Sequence, residues 1–333
     1  MKSVLLPLMA VFVMSQACVT QETPSEGGGW STLSTNGNLT ARHETAMVAF
    51  DGKAYLFGGR GIKPVEEFDP ATNTWRQLGP TPLEIHHFQP VVYGDRIYVM
   101  TAMTGEYPKE TPIETIYIFD PKRDAWEKGP AVPEHRRRGG AGTVVHDGRI
   151  YMAAGIIDGH TSGTVPWFDE FDPKTGTWRE LPDAPHARDH FPAISAGGRL
   201  YLVGGRNTSY HTPDNFMAFF EAVIPEVDAY NFATGKWRTL EEGLSVGTAA
   251  GGLVELDGDI YYFGGESEEK LAHDLTQRLD VETGAWELTA PLQRGRHGAG
   301  SAVIDGKIYV AAGSGGRGGG PELSSTEVFT LGR

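Results

Sequence analysis

The residues best able to do chemistry stand at fixed distances from a recurring tight turn. Six times the chain sets a turn dipeptide (Asp51-Gly52, Gly94-Asp95, Asp147-Gly148, Gly197-Gly198, Asp257-Gly258, Asp305-Gly306) in front of an aromatic strand. Nine residues before the first turn residue stand Arg42, Ile85, Arg138, Arg188, Thr248 and Arg296. Eight before it stand His43, His86, Gly139, Asp189, Ala249 and His297, with His87 and His190 one step further along. Guanidinium and imidazole groups gathered at equivalent positions would give one mouth a positive field, which favours a small anionic guest. The ligand-binding candidates are therefore Arg42, His43, His86, Arg138, Arg188, Arg296 and His297.

Proton transfer is the second chemistry available there. It would take His87 as acid, Asp189 or His190 as base, and Arg188 or Arg296 as a clamp for a carboxylate. A third option is metal ligation, because His43, His86 and His297 share one column and three imidazoles can hold zinc or copper. No carboxylate accompanies that column, so the reading expects neither metal nor cofactor.

These residues sit in an acidic chain. Its 333 residues carry 29 Lys plus Arg against 43 Asp plus Glu, a net charge of −14, which argues against a nucleic-acid partner. With 39% hydrophobic and 22% charged residues the composition is that of a folded protein. The single cysteine, Cys18, excludes disulfides within the chain and thiolate metal clusters.

Cys18 follows a lysine and an apolar run too short to span a membrane, which reads as a secretory signal over residues 1–17. Its position resembles the lipid-attachment cysteine of bacterial lipoproteins, although Ser15 stands where that signal usually carries Leu; ordinary cleavage leaving a free Cys18 is the alternative. Either route exports the protein, to the periplasm or to the outer membrane as a lipoprotein, with residues 18–29 as a flexible tether.

The positioning elements follow from an internal repeat of about fifty residues. Tyr55, Tyr98, Tyr151, Tyr201, Tyr261 and Tyr309 centre equivalent strands after the six turns, and Trp75, Trp126, Trp178, Trp237 and Trp286 end the units further on. Each unit makes four antiparallel strands. The last unit stops before any Trp, while Trp30 stands alone near the start, so the N-terminal strand is expected to complete the last unit and close the ring.

This pattern resembles the Kelch family, over residues 30–333. Its paired glycines are intact at Gly58-Gly59, Gly204-Gly205 and Gly264-Gly265, replaced by Thr101-Ala102 in the second unit, and reduced to Gly155 and Gly313 in the third and sixth. The resemblance implies an all-β, six-bladed β-propeller. It also implies that arginines at the start of the inner strands can bridge blades by bonding backbone carbonyls, which competes with the ligand reading. Galactose oxidase shares the repeats, but its Cys–Tyr copper chemistry has no second cysteine here, and a sialic-acid mutarotase with a six-bladed Kelch fold is the nearer enzymatic similarity.

In such blades the second-to-third strand connections share one face. Here they run from RGIKP (60 to 64) to the long RNTSYHTPDNFMAFFEAVIPE (206 to 226), while the other face has only tight turns. Loops of that kind carry function. The reading is an exported propeller binding a small anionic or carbohydrate ligand there. A sugar-acid mutarotase and a protein-interaction propeller remain the alternatives. Trp167, outside the repeat, belongs either to a binding loop or to a stack on a neighbouring blade.

Overall fold

The computed structural model describes residues 28–332; the signal segment, Cys18 and most of the tether lie outside the described residues. Six four-stranded antiparallel sheets form a ring of blades. Strands a to d of blade 1 are Thr45–Phe50, Lys53–Gly58, Pro64–Asp69 and Thr74–Pro80. Blade 6 consists of Gly300–Ile304, Lys307–Ala311 and Thr326–Leu331 with Gly28–Thr32 as its outer strand, where Trp30 lies opposite Phe329. The expected closure is therefore observed. Among the described residues the only helical turns are two short 3-10 segments, Glu134–Arg136 and Phe216–Phe220.

Apolar contacts between neighbouring blades hold the ring. Trp30 packs its ring 4.9 Å from Phe263 of blade 5 and donates to Thr276 Oγ1 at 2.9 Å. Trp75 of blade 1 donates to Thr326 Oγ1 of blade 6 at 3.0 Å, Trp126 of blade 2 meets Phe57 of blade 1, and Trp237 of blade 4 meets Phe168 of blade 3. Each of these tryptophans covers the blade before its own, so the aromatic repeat reports inter-blade packing.

Two backbone hoops run nearer the axis. The inner one joins Glu44, His87, Gly140, His190, Ala250 and Gly298, one residue per blade, all left-handed with φ between 52° and 58°. Gly140 N–H donates to His87, His190 to Gly140, Ala250 to His190 and Gly298 to Ala250, at 2.6 to 3.0 Å, and Thr45 N–H closes the circle onto Gly298 at 3.1 Å. The second hoop uses the later glycine of the Kelch pair: Gly59, Gly155, Gly205, Gly265 and Gly313 donate to the carbonyls of Ile85, Arg188, Thr248, Arg296 and Arg42. Their φ of 93° to 116° suits glycine alone, whereas Ala154 and Ala312 take the first position at 51° and 61°. Loss of one glycine from blades 3 and 6 is tolerated for that reason.

The four arginines of the proposed mouth sit inside the blades, 0–1% exposed. Arg42 Nη2 meets Glu66 at 2.6 Å, Arg138 Nη1 meets Asp169 at 2.8 Å, Arg188 Nη2 meets Asp228 at 2.9 Å, and Arg296 Nη2 meets Glu327 at 2.5 Å. Each also donates to carbonyls of its own blade, for example Arg188 to Gly204 and Arg296 to Ala312. They are not available to a ligand. The expectation that they line a binding mouth is corrected: they tie strand c to the start of strand a within one blade, rather than bridging blades as the Kelch resemblance implied.

Two outcomes follow for stability. Trp30→Ala should cost about 3–5 kcal/mol, and deletion of residues 30–36 more, because blade 6 then loses its outer strand; an unchanged melting temperature in the deletion would contradict closure. Arg188→Gln should cost about 3 kcal/mol by removing the guanidinium partner of buried Asp228, which keeps only His186 and Thr239. Chemical denaturation measures it, and a loss below about 1 kcal/mol would mean that the pair is dispensable.

Candidate functional site: a closed polar circuit over the channel

The inner hoop places three polar side chains at the top of the channel: Glu44, His87 and His190. Blades 3, 5 and 6 present Gly140, Ala250 and Gly298 at the same level, so that half of the opening carries almost no side chain. The blade 3 loop supplies what Gly140 lacks. Its hairpin, Ile156–Asp158 with Ser162–Thr164, lifts His160 over the hoop, and His160 N–H donates to Pro108 O of the blade 2 loop at 3.0 Å.

From these residues a polar circuit closes around the axis. His160 Nδ1 faces Glu110 at 3.1 Å and its Nε2 faces His190 Nε2 at 3.2 Å. His190 Nδ1 faces Asp189 at 2.5 Å, Thr208 Oγ1 donates to Asp189, and Arg206 Nε donates to Thr208 Oγ1 at 2.9 Å. Arg206 Nη1 pairs with Glu266 at 2.5 Å, and His297 Nε2 stands 3.3 Å from Glu266 and 3.7 Å from Glu44. Glu44 approaches His87 Nε2 at 3.0 Å, His87 Nδ1 meets His86 Nδ1 at 2.6 Å, and Arg60 joins His86 at 3.3 Å to Glu110 at 2.7 Å. Apart from Arg60, every member is buried.

The charges of this circuit do not make an anion receptor. Four carboxylates, Glu44, Glu110, Asp189 and Glu266, face two guanidiniums, Arg60 and Arg206. All four stay ionised below their ordinary values: burial works against them, but facing imidazoles and Arg206 or Arg60 outweigh it. Burial lowers His86 to about 4, pushes His87 well below 6.5 and lowers His160. His297 moves the other way, raised despite burial by Glu266 and Glu44.

Of the residues expected at the site, the structure joins His86, His87, Asp189, His190 and His297 in one network. His43 is apart from it, with Nδ1 2.8 Å from Glu322. The column His43, His86, His297 does not converge; the imidazoles that do are His87, His160 and His190, whose ligating atoms lie within 4.8 Å of one another. Glu44, Arg60, Glu110, His160, Arg206 and Glu266 were missed. Glu44 was visible as the residue in register with His87 and His190, whereas loop residues have no repeat register from which to place them. Trp167 lies under Arg136, whose guanidinium carbon is 4.5 Å from the ring centre and which pairs with Asp169 of the same blade, so it stacks within its own blade and not on a neighbouring one.

Above the circuit the long blade 4 loop forms a cover. Asn215 caps its turn Phe216–Phe220, His211 Nε2 lies 2.9 Å from Thr161 O of the blade 3 loop, and Arg206 stacks under Phe219 and Phe220. Of eight large apolar side chains exposed among the described residues, six lie on this face: Ile62, Tyr107, Tyr210, Phe216, Met217 and Leu271. Below the circuit, Glu44, His87, His190, Gln89 and Ser301 line a channel cavity of about 110 Å³.

Comparison with known proteins agrees with this fold. A Kelch-like protein, terF of Aspergillus terreus, is 28% identical over 322 residues, covering 90% of this chain and 67% of that protein. Kelch-like protein 40 of Xenopus tropicalis is 25% identical over 56% of this chain, and Kelch repeat and BTB domain-containing protein 8 of Danio rerio is 30% identical over 56%. The chain spans only 30% and 31% of the length of these two vertebrate relatives. The solved structure of YjhT superposes with a TM-score of 0.73 at 16% identity, over 89% of this chain and 97% of that one, a likeness of fold. Residues 295–331 match the Kelch motif, residues 20–248 match the model of the Attractin/LZTR1 β-propeller, and the chain belongs to that family of Kelch-repeat propellers.

Proposed function

We propose that the protein is exported by its N-terminal signal, held at a membrane through Cys18, and acts as a non-catalytic propeller that binds a protein partner on its elaborated face. The observation that supports this reading is the distribution of exposed apolar groups. Six of the eight are on the connections of blades 1, 2, 4 and 5, and Tyr107 Oη touches Met217 Sδ at 3.1 Å, so neighbouring loops present one surface. Tyr and Met are enriched where proteins meet, and the opposite face offers only short turns. The Kelch-like relatives support the same class of function.

A second reading keeps a small carbohydrate ligand, with anomer interconversion as its reaction. The cavity below the circuit and the carboxylate–imidazole pairs Glu44–His87 and Asp189–His190 at its upper end favour it, since acid and base would stand on either side of one guest. The guest would be uncharged. Arg60 and Arg206, the guanidiniums of the circuit, are already matched to Glu110 and Glu266.

The partner is sought by cross-linking in an envelope extract of the native host, followed by affinity measurement with the purified protein. Tyr210→Asp combined with Phe216→Asp should weaken that complex at least tenfold while leaving the melting temperature within a few degrees, because exposed loop positions carry little core area. Leu288→Asp, on an outer strand, should change nothing. Equal affinity in all three proteins would overturn the docking surface. Proton NMR of a neutral reducing sugar and of a sugar acid decides the second reading: acceleration of anomer exchange by the wild type and its loss in His190→Gln would replace the binding function with a catalytic one.

A further inference from the structure

The contact between His160 and His190 is hard to explain with these groups alone. Each imidazole turns Nδ1 onto a carboxylate, His190 onto Asp189 at 2.5 Å and His160 onto Glu110 at 3.1 Å. That arrangement fixes the proton on Nδ1 and leaves the lone pair on Nε2. The two Nε2 atoms nevertheless face one another at 3.2 Å. Two acceptors at that distance repel unless a cation lies beside both.

We propose that His87, His160 and His190 form a binding site for a borderline divalent transition-metal ion, of the zinc or cobalt(II) kind, at the top of the central channel. Zinc–nitrogen bonds of about 2.0–2.1 Å in a tetrahedron set neighbouring nitrogens about 3.3–3.4 Å apart. The His160–His190 separation, 3.2 Å, is slightly shorter than that. His87 completes the set within 4.8 Å of the others. Its Nε2 is buried without an aligned hydrogen bond, although Glu44 approaches to 3.0 Å.

Three further features match such an ion. Asp189 and Glu110 hold two of the rings from behind, as carboxylates do behind metal-bound histidines. Four carboxylates surround the cluster against two guanidiniums, so added positive charge is favoured. Gly140, Ala250 and Gly298 leave the channel side open, and the cavity there is lined by His87, His190 and Glu44. Three protein nitrogens with one open side make a site able to admit water or a further ligand. This inference goes beyond the docking function and does not rest on it.

The test uses the full chain, stripped with chelator and then given zinc or cobalt(II), both in the folded state and during refolding, because the cluster lies under the blade 4 loop. One ion per chain by mass spectrometry is expected, with a cobalt visible spectrum of four-coordinate type and a zinc X-ray absorption pattern of three imidazoles. His160→Gln and His190→Gln should each weaken uptake at least tenfold. His43→Gln and His273→Gln, on the same face, should leave it unchanged. The absorption measurements need only the wild type, so they stand even where a variant fails to fold. No retained ion under either loading, an ion with fewer than three imidazoles, or uptake by H160Q and H190Q equal to that of the wild type would each overturn the site. The first of these outcomes would indicate a proton shared between the two rings.

Discussion

Everything around the axis depends on one constraint: six inner strands must begin where each can hydrogen-bond to its neighbour around a circle. The left-handed residues Glu44, His87, Gly140, His190, Ala250 and Gly298 meet it, turning the chain so that one N–H and one C=O lie along the hoop. Burying those groups without partners would cost more than the turn itself. Once the backbone is satisfied by the hoop, the side chain at each position is free of structural duty. Propellers can therefore vary chemistry there without altering the ring.

The particular choice made here is informative. A left-handed conformation costs roughly 1–2 kcal/mol for a residue with a Cβ, and glycine avoids it. Blades 3 and 6 use glycine; blades 1, 2 and 4 use Glu and His and accept the strain. Strained positions occupied by groups able to ligate or titrate mark sites of function more often than of packing. Gly140 is part of the same design, because a Cβ on it would come within 3.3 Å of His190 N and 3.7 Å of His190 Nδ1.

How much of this was legible follows the same division between backbone and side chain. The blade number, ring closure through Trp30, inter-blade tryptophans and the elaborated face all follow from register, and register survives in sequence because tight turns and aromatic cores repeat. The role of the arginines was legible too, in a correspondence that was passed over. Two residues before the strand c aromatic or Leu stand Glu66, Tyr117, Asp169, Asp228, Gln277 and Glu327. Acids occur in the four blades that begin with Arg, and Tyr117 and Gln277 in the two that begin with Ile85 and Thr248. That matching by itself assigns each arginine a counter-ion inside its blade. His160, Glu110 and Arg206 were beyond reach, because irregular loops of unlike length share no register, and only their fold brings them over the hoop.

The failure of the anionic reading shows what a register argument omits. Counting cations at equivalent positions locates where charges gather, but the field is set by what lies within a few ångströms of each, and in a buried site each charge requires a compensating one. Here every inner arginine has a carboxylate from the same blade, and the circuit above adds Glu44, Glu110, Asp189 and Glu266 against Arg60 and Arg206. The sign at the channel top is thereby opposite to that suggested by the arginine column alone. A polar network this enclosed persists only when its members satisfy one another. Among the described residues the circuit's members fall short of this at His297 and His87, whose buried ring nitrogens lack aligned hydrogen bonds, and between His160 and His190, which aim lone pairs at each other; whatever the channel accommodates should be sought beside these imidazoles.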